Sequence, residues 1–155
     1  MGVIALNAQE WNVTTDTVMG GLSTLSIVED YTGLRFYGSL SHRNNGGFVS
    51  AKMTDDSLSC PKGATGIKVS WKGDGRIYRL ILHERGRKIR EYFECPLSQP
   101  TETLLWSDFT HRHRTLSDTG RLIKPHKLMS IGVLLSKTHS GSVELSLQTV
   151  EWGLE

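Results

Sequence analysis

The stretch Asp30-Tyr31-Thr32-Gly33-Leu34-Arg35-Phe36-Tyr37-Gly38-Ser39-Leu40 decides how the rest of the chain reads. Leu34, Phe36 and Leu40 fall on one side of an extended backbone, and Arg35, Tyr37 and Ser39 fall on the other. Side chains of a strand alternate between its faces, so this run predicts a β-strand with one buried face. The Asp30–Gly33 segment before it is a turn signal, and residues 22–28 form a second strand-like run. Working outward, the same pattern recurs at 47–53, 67–71, 77–83, 89–93, 104–109, 129–135 and 143–152. In the last run Val143, Leu145, Leu147 and Thr149 share a face, and the pattern then slips at Val150.

Glycine separates these runs: Gly20-Gly21, Gly33, Asn45-Gly46-Gly47, Gly73-Asp74-Gly75 and Ser140-Gly141. Asn-Gly and Asp-Gly are strong hairpin signals, because type I′ turns need positive φ at both central positions. Residues 83–88 read as a further hairpin with a charged tip. Helical periodicity is missing, apart from a single turn near residues 125–129. About nine or ten short strands with no helices between them predict an all-β sandwich or barrel. The 155 residues carry no linker or repeat and read as one domain, 1–155.

Composition removes several functions. The formal net charge is only +2, unlike a dedicated nucleic-acid binder. No apolar run is long enough to insert in a membrane, and residues 1–11 lack the basic start of a signal peptide. Cys60 and Cys95 each precede a proline and read as reduced thiols, so the expected location is cytoplasmic. There is no phosphate-binding G-x-x-x-x-G-K motif, no dinucleotide fingerprint and no G-x-S-x-G elbow, so neither a cofactor nor a catalytic residue is predicted. His111 and His113 alternate within an arginine-flanked run that would repel a cation, and no metal site is predicted. Asp55 and Asp56 are adjacent, so on a strand they would face apart and could not act as a carboxylate pair.

The remaining candidates are polar residues on turns. Asp16, Ser23 and Asn45 flank Gly20, Gly21, Gly46 and Gly47, and would line a shallow polar rim; the simpler reading is that these glycines serve the backbone alone. Asp74, Arg76 and Tyr78 follow Gly73 and Gly75. Alternation would put Arg76 and Tyr78 on one face of a strand as a ligand platform, against a plain hairpin tip with an exposed ion pair. Arg85, Arg87, Lys88 and Arg90 read as a solvated tip that blunts a sheet edge. Trp11, Trp71, Trp106 and Trp152 read as core anchors, with a sugar-stacking platform as the alternative.

Four ordered pieces carry a family resemblance. They are Asp16-Thr17-Val18-Met19-Gly20-Gly21-Leu22-Ser23; Phe36-Tyr37-Gly38-Ser39-Leu40-Ser41 with Asn44-Asn45-Gly46-Gly47-Phe48; Gly73-Asp74-Gly75-Arg76-Ile77-Tyr78; and Trp106-Ser107-Asp108-Phe109 with Ile131-Gly132-Val133-Leu134. Together they resemble the complex I intermediate-associated protein family, assembly factors of NADH:ubiquinone oxidoreductase. The resemblance implies a galactose-binding-like jelly roll that binds protein partners, respiratory-complex subunits among them, as a chaperone-like factor. The chain shows no mitochondrial presequence, so the resemblance points to a stand-alone bacterial member. The family's segment after Phe109 is altered to Thr110-His111-Arg112-His113-Arg114. A carbohydrate-binding module with a small sugar ligand is the alternative that the implied architecture allows.

Overall fold

The computed structural model describes residues 3–55, 58–86, 91–113 and 119–154. Asp56, Arg87, Lys88, Ile89, Arg90 and Arg114, which entered the sequence reading, lie outside the described residues. The strands are β1 (Val3–Ile4), β2 (Trp11–Thr15), β3 (Thr24–Asp30), β4 (Gly33–Leu40), β5 (Phe48–Thr54), β6 (Gly66–Gly73), β7 (Arg79–Glu84), β8 (Glu91–Pro96), β9 (Thr101–Leu105), β10 (Thr110–His113), β11 (Leu128–Ser136) and β12 (Gly141–Gly153). Short 3-10 turns are the only helical elements among the described residues, one of them at Pro125–Lys127. No helix is long and apolar enough to cross a membrane.

All pairings are antiparallel and form two sheets. The first runs β3-β4-β12-β6-β9, with β1 on the far half of β12, and the second runs β10-β8-β7-β11-β5-β2. Only β3–β4 and β7–β8 are consecutive strands that pair with each other; most other connections cross from one sheet to the other. The protein is therefore an all-β jelly-roll sandwich. Its core is the set of inward residues that the alternation marks: Leu34, Phe36 and Leu40 on β4, and Val143, Leu145 and Leu147 on β12. They meet Leu80, Leu82, Phe93 and Ile131 of the second sheet, and Trp11 packs edge-on against Phe36 with ring centroids 5.3 Å apart. Each such side chain contributes about 1.5–3 kcal/mol on burial. The slip at Val150 is a β-bulge: the β12–β6 register shifts between Leu147 and Thr149. One extra residue exchanges the faces, so Val150 and Trp152 turn inward where Thr149 would have been.

Three expectations are corrected. Asn45-Gly46-Gly47 and Gly73-Asp74-Gly75 are not hairpin turns; they carry the chain from the first sheet to the second, β4 to β5 and β6 to β7. A positive-φ turn reverses the chain, but which partner receives the next strand is decided by non-local pairing. Residues 74–78 belong to no strand, so Arg76 and Tyr78 do not share a strand face. Residues 104–109 divide into the end of β9 and a 3-10 turn, Trp106–Asp108, while β1, β2 and β10 are strands the sequence pattern missed.

Candidate functional site

Antiparallel registers gather five connections at one end of the sandwich: β2–β3, β4–β5, β6–β7, β8–β9 and β11–β12. Every predicted site residue lies on these connections, so the fold brings Asp16, Ser23, Asn45, Asp74, Arg76 and Tyr78 to one end. Two hydrogen-bonded knots organise it.

The first knot is Asp16, which is fully buried. Its Oδ1 accepts from the Ser23 N–H at 2.9 Å. Its Oδ2 accepts from the Ser23 hydroxyl at 2.6 Å, the Gly47 N–H at 2.6 Å and the Phe48 N–H at 3.3 Å. The Ser23 hydroxyl also accepts from the Ser41 N–H at 2.9 Å. One carboxylate thus ties the β2–β3 connection to the β4–β5 connection. Burial pushes its carboxyl up, but the Ser23, Gly47 and Phe48 donors outweigh it and hold the group below the usual aspartate value. Gly21 and Gly46 are required by space: a Cβ on either would stand 2.5 Å from an Asp16 carboxylate atom. Asn44 Nδ2 joins the two loops again, donating to the Gly20 carbonyl at 3.0 Å, while Asn45 beside it is exposed.

The second knot is Asp74–Arg76–Tyr78. Asp74 Oδ1 accepts from the Arg76 N–H at 3.1 Å, and Oδ2 from the Glu144 N–H at 2.8 Å. Tyr78 Oη lies 3.0 Å from Asp74 Oδ2 and 3.1 Å from the Glu144 carbonyl oxygen. Burial, then the Asp74 charge, push the Tyr78 hydroxyl well above its usual value. The Arg76 side chain is 7% exposed, and its Nε is 3.6 Å from Asp74. It donates to Thr138 Oγ1 at 3.2 Å, to the Ser142 carbonyl at 3.1 Å and to the carbonyl of His139. Its fork is therefore occupied by the β11–β12 connection and the start of β12. His42 Nε2, 2.6 Å from the Thr138 carbonyl oxygen, links the two knots.

These knots spend much of their polar capacity on one another, and beside exposed polar residues such as Thr17, Arg43, Asn45 and His139 the same loops leave four apolar side chains facing solvent. Val18, Met19 and Leu22 are 71%, 61% and 51% exposed, and Ile77 is 67% exposed. Ile77 borders a depression of about 450 Å³ shared with Arg76, Thr138 and His139. Isolated exposed apolar residues are ordinary; here four stand on connections at the same end of the sandwich.

Sequence reading missed a second feature, a groove on the outer face of the second sheet. Ile81 faces outward between core residues Leu80 and Leu82, yet is only 6% exposed. Gly132 pairs with both Ile81 and Lys52, leaving a low floor between them. A Cβ there would stand 2.5 Å from the Ala51 carbonyl oxygen. Leu134, Tyr92, His83, Ser50 and Thr14 complete a groove of about 210 Å³. The available signal was the continuous apolar runs Leu80-Ile81-Leu82 and Val133-Leu134-Leu135, which mark strands shielded on both faces.

Other candidates are held within the fold. His111 is buried, with Nε2 2.8 Å from Glu91 and Nδ1 bonded to Thr119. Among the described residues no group of three or more His, Cys, Asp or Glu is placed to hold a metal ion. Cys60 and Cys95 are free thiols. Burial pushes both up, Cys95 to about 12 with help from Asp108, Glu102 and Glu94. A thiol held protonated at neutral pH is a poor nucleophile. Trp11 and Trp152 are buried. Trp106 donates to the Ala64 carbonyl at 2.8 Å, and Trp71 Nε1 is 3.4 Å from Glu102.

The family model described as Complex I intermediate-associated protein 30 matches residues 5–147. No curated protein matches the chain at a significant level. Among solved structures, the chain is similar to a family 11 carbohydrate-binding module from Clostridium thermocellum in complex with a β-1,3-1,4-mixed-linked tetrasaccharide. The TM-score is 0.68 at 16% identity, covering 99% of this chain and 95% of that one. The family 11 module of the cellulosomal cellulase Lic26A-Cel5E of the same organism gives 0.64 at 17% identity, covering 94% and 89%. An exo-β-agarase gives 0.52 at 6% identity over 100% of this chain and 26% of that one. Identities this low establish the shared jelly-roll fold.

Proposed function

The chain belongs to the Complex I intermediate-associated protein 30 family, and on that premise we propose that it is a non-catalytic, chaperone-like assembly factor. In this reading it works in a bacterial cytoplasm and holds partly assembled subunits of respiratory NADH:ubiquinone oxidoreductase. The observation that carries the reading is the family match across residues 5–147. The apolar side chains of Val18, Met19, Leu22 and Ile77 form the contact surface, with exposed Asn45 at its edge. Asp16, Ser23, Asp74, Arg76 and Tyr78 are positioning residues that hold the loops in place, a preorganisation that lowers the entropy cost of binding.

The alternative is a carbohydrate-binding module, and the fold of the family 11 modules supports it. None of the four tryptophans is exposed, however, and the loops expose the aliphatic side chains of Val18, Met19, Leu22 and Ile77, which favours a protein partner.

The test is affinity purification of the tagged protein from its native cells beside a Leu22→Ser/Ile77→Ser variant whose fold is checked by circular dichroism. Recovery of NADH:ubiquinone oxidoreductase subunits with the wild type, and their loss with the variant, is the expected result. Failure to recover those subunits with the wild type overturns the reading, and a glycan array then examines the alternative. Equal recovery by both proteins moves the contact away from this end of the sandwich.

A further inference from the structure

The outer groove of the second sheet carries an unmatched charge. Arg79 and Arg112, which stand on the same face, both pair with Glu94: Arg79 Nε lies 3.4 Å from Oε1 and Arg112 Nε 2.9 Å from Oε2. Lys52 lines the groove and has no carboxylate partner among the described residues. It shares the groove with Ile81, Leu134 and Tyr92 as well as Thr14, Ser50 and His83, and its cross-strand neighbours are Asn12 and the bare backbone of Gly132. A half-buried cation beside apolar surface loses hydration without gaining a counter-charge, and burial accordingly draws the Lys52 ammonium below its usual value.

The size and shape of the groove select the occupant. Drug-sized ligands fill pockets of about 300–1,000 Å³, so the 210 Å³ here suits one or two anchoring side chains of a longer chain that continues across the sheet. Tyr92 supplies the rigid amphipathic contact common at protein interfaces. The Ile81–Leu134 floor takes an apolar side chain, and Lys52 takes a carboxylate next to it. We infer that this groove is a docking site for an extended acidic-apolar peptide segment of a partner protein, read by the juxtaposition of Lys52 with Ile81, Leu134 and Tyr92. The inference rests on the assembly-factor reading for the source of the segment, and on the groove alone for its chemistry.

The test is a ¹⁵N–¹H NMR titration of the purified protein with the capped heptapeptides GLEFLEG and GLKFLKG. The acidic peptide should shift amides at 50–52, 81–83, 92 and 132–134, and bind about fivefold more tightly than the basic one, the worth of one partly screened ion pair. Lys52→Glu should reverse that preference. Lys52→Met, which keeps the aliphatic stem, should abolish it, and the same spectra report whether each variant is folded. Equal binding of both peptides overturns the inference. So do shifts confined to other surfaces, or a mixed-linked β-glucan oligosaccharide that moves the groove amides when neither peptide does. If the acidic peptide binds the groove while no respiratory subunit co-purifies, the docking site stands and the assembly-factor reading falls. If subunits co-purify equally with wild type and Lys52→Glu, the reverse holds.

Discussion

Replacing Asp16 by alanine removes an acceptor that four donors share: three backbone N–H groups and the Ser23 hydroxyl. Hydrogen bonds to a charged group each contribute about 1.5–3 kcal/mol net, but the four are not independent and their sum is an upper bound. Gly47 and Phe48 are half-buried, so water can reach their N–H groups in the variant. Ser23 is 1% exposed and would keep an N–H without a partner. Removing one member of a buried charged network costs about 3–5 kcal/mol. In a domain of this size each kcal/mol lowers Tm by about 2–4 °C, so Asp16→Ala should melt roughly 6–20 °C below the wild type. Asp16→Asn can keep a carbonyl oxygen at the Oδ2 position for three of the donors. It then places an amide N–H₂ against the Ser23 N–H, so about half of the loss should return.

The pH dependence follows from the direction of the Asp16 shift. Its folded carboxyl lies below the ordinary value of 3.8, so its stabilisation is fully present above that value and is lost as pH falls through the folded one. Urea unfolding of wild type, Asp16→Ala and Asp16→Asn at pH 7, 4 and 3 measures both effects. The gap between wild type and Asp16→Asn should be constant down to about pH 4 and narrow below it. A loss under about 1 kcal/mol for Asp16→Ala, or a gap that does not narrow in acid, would refute the knot as a buried charged acceptor.

Two further outcomes follow from the geometry. Gly46 has an ordinary φ of −76°, so Gly46→Ala should destabilise through its Cβ meeting the Asp16 carboxylate and the Ser41 carbonyl oxygen, by about 1–3 kcal/mol in urea unfolding; a neutral effect would mean that both the carboxylate and the Ser41 backbone can move aside. Cys95, with its thiol pushed up to about 12, should resist a thiol-specific disulfide reagent at pH 8 until denaturant is added, while half-buried Cys60 reacts first. Rapid labelling of Cys95 in the native protein would contradict its burial.

Period-two alternation is a local property, and it was enough to identify the inward face of β4, the inward Val143, Leu145 and Leu147 of β12 and a slip in the pattern close to the bulge between Leu147 and Thr149. It rests on nearest-neighbour stereochemistry and the demand to bury apolar side chains, both readable in a few consecutive residues. Turn residues were legible in the same way: Gly20, Gly47 and Gly75 all have positive φ. Asp16, Ser23 and Gly46 stood out in the sequence as a motif, but the contacts they make did not. Asp16 acts through residues 7, 31 and 32 positions away, and those pairings exist only once two sheets are stacked. The same limit hid the roles of Arg76 and Tyr78, whose partners at Thr138, Ser142 and Glu144 belong to the β11–β12 connection and the start of β12, more than sixty residues distant. The groove required the most: Lys52, Ile81, Tyr92 and Gly132 come from four strands and share no local pattern. Their alignment depends on strand order and register, which long-range pairing decides and no single segment encodes.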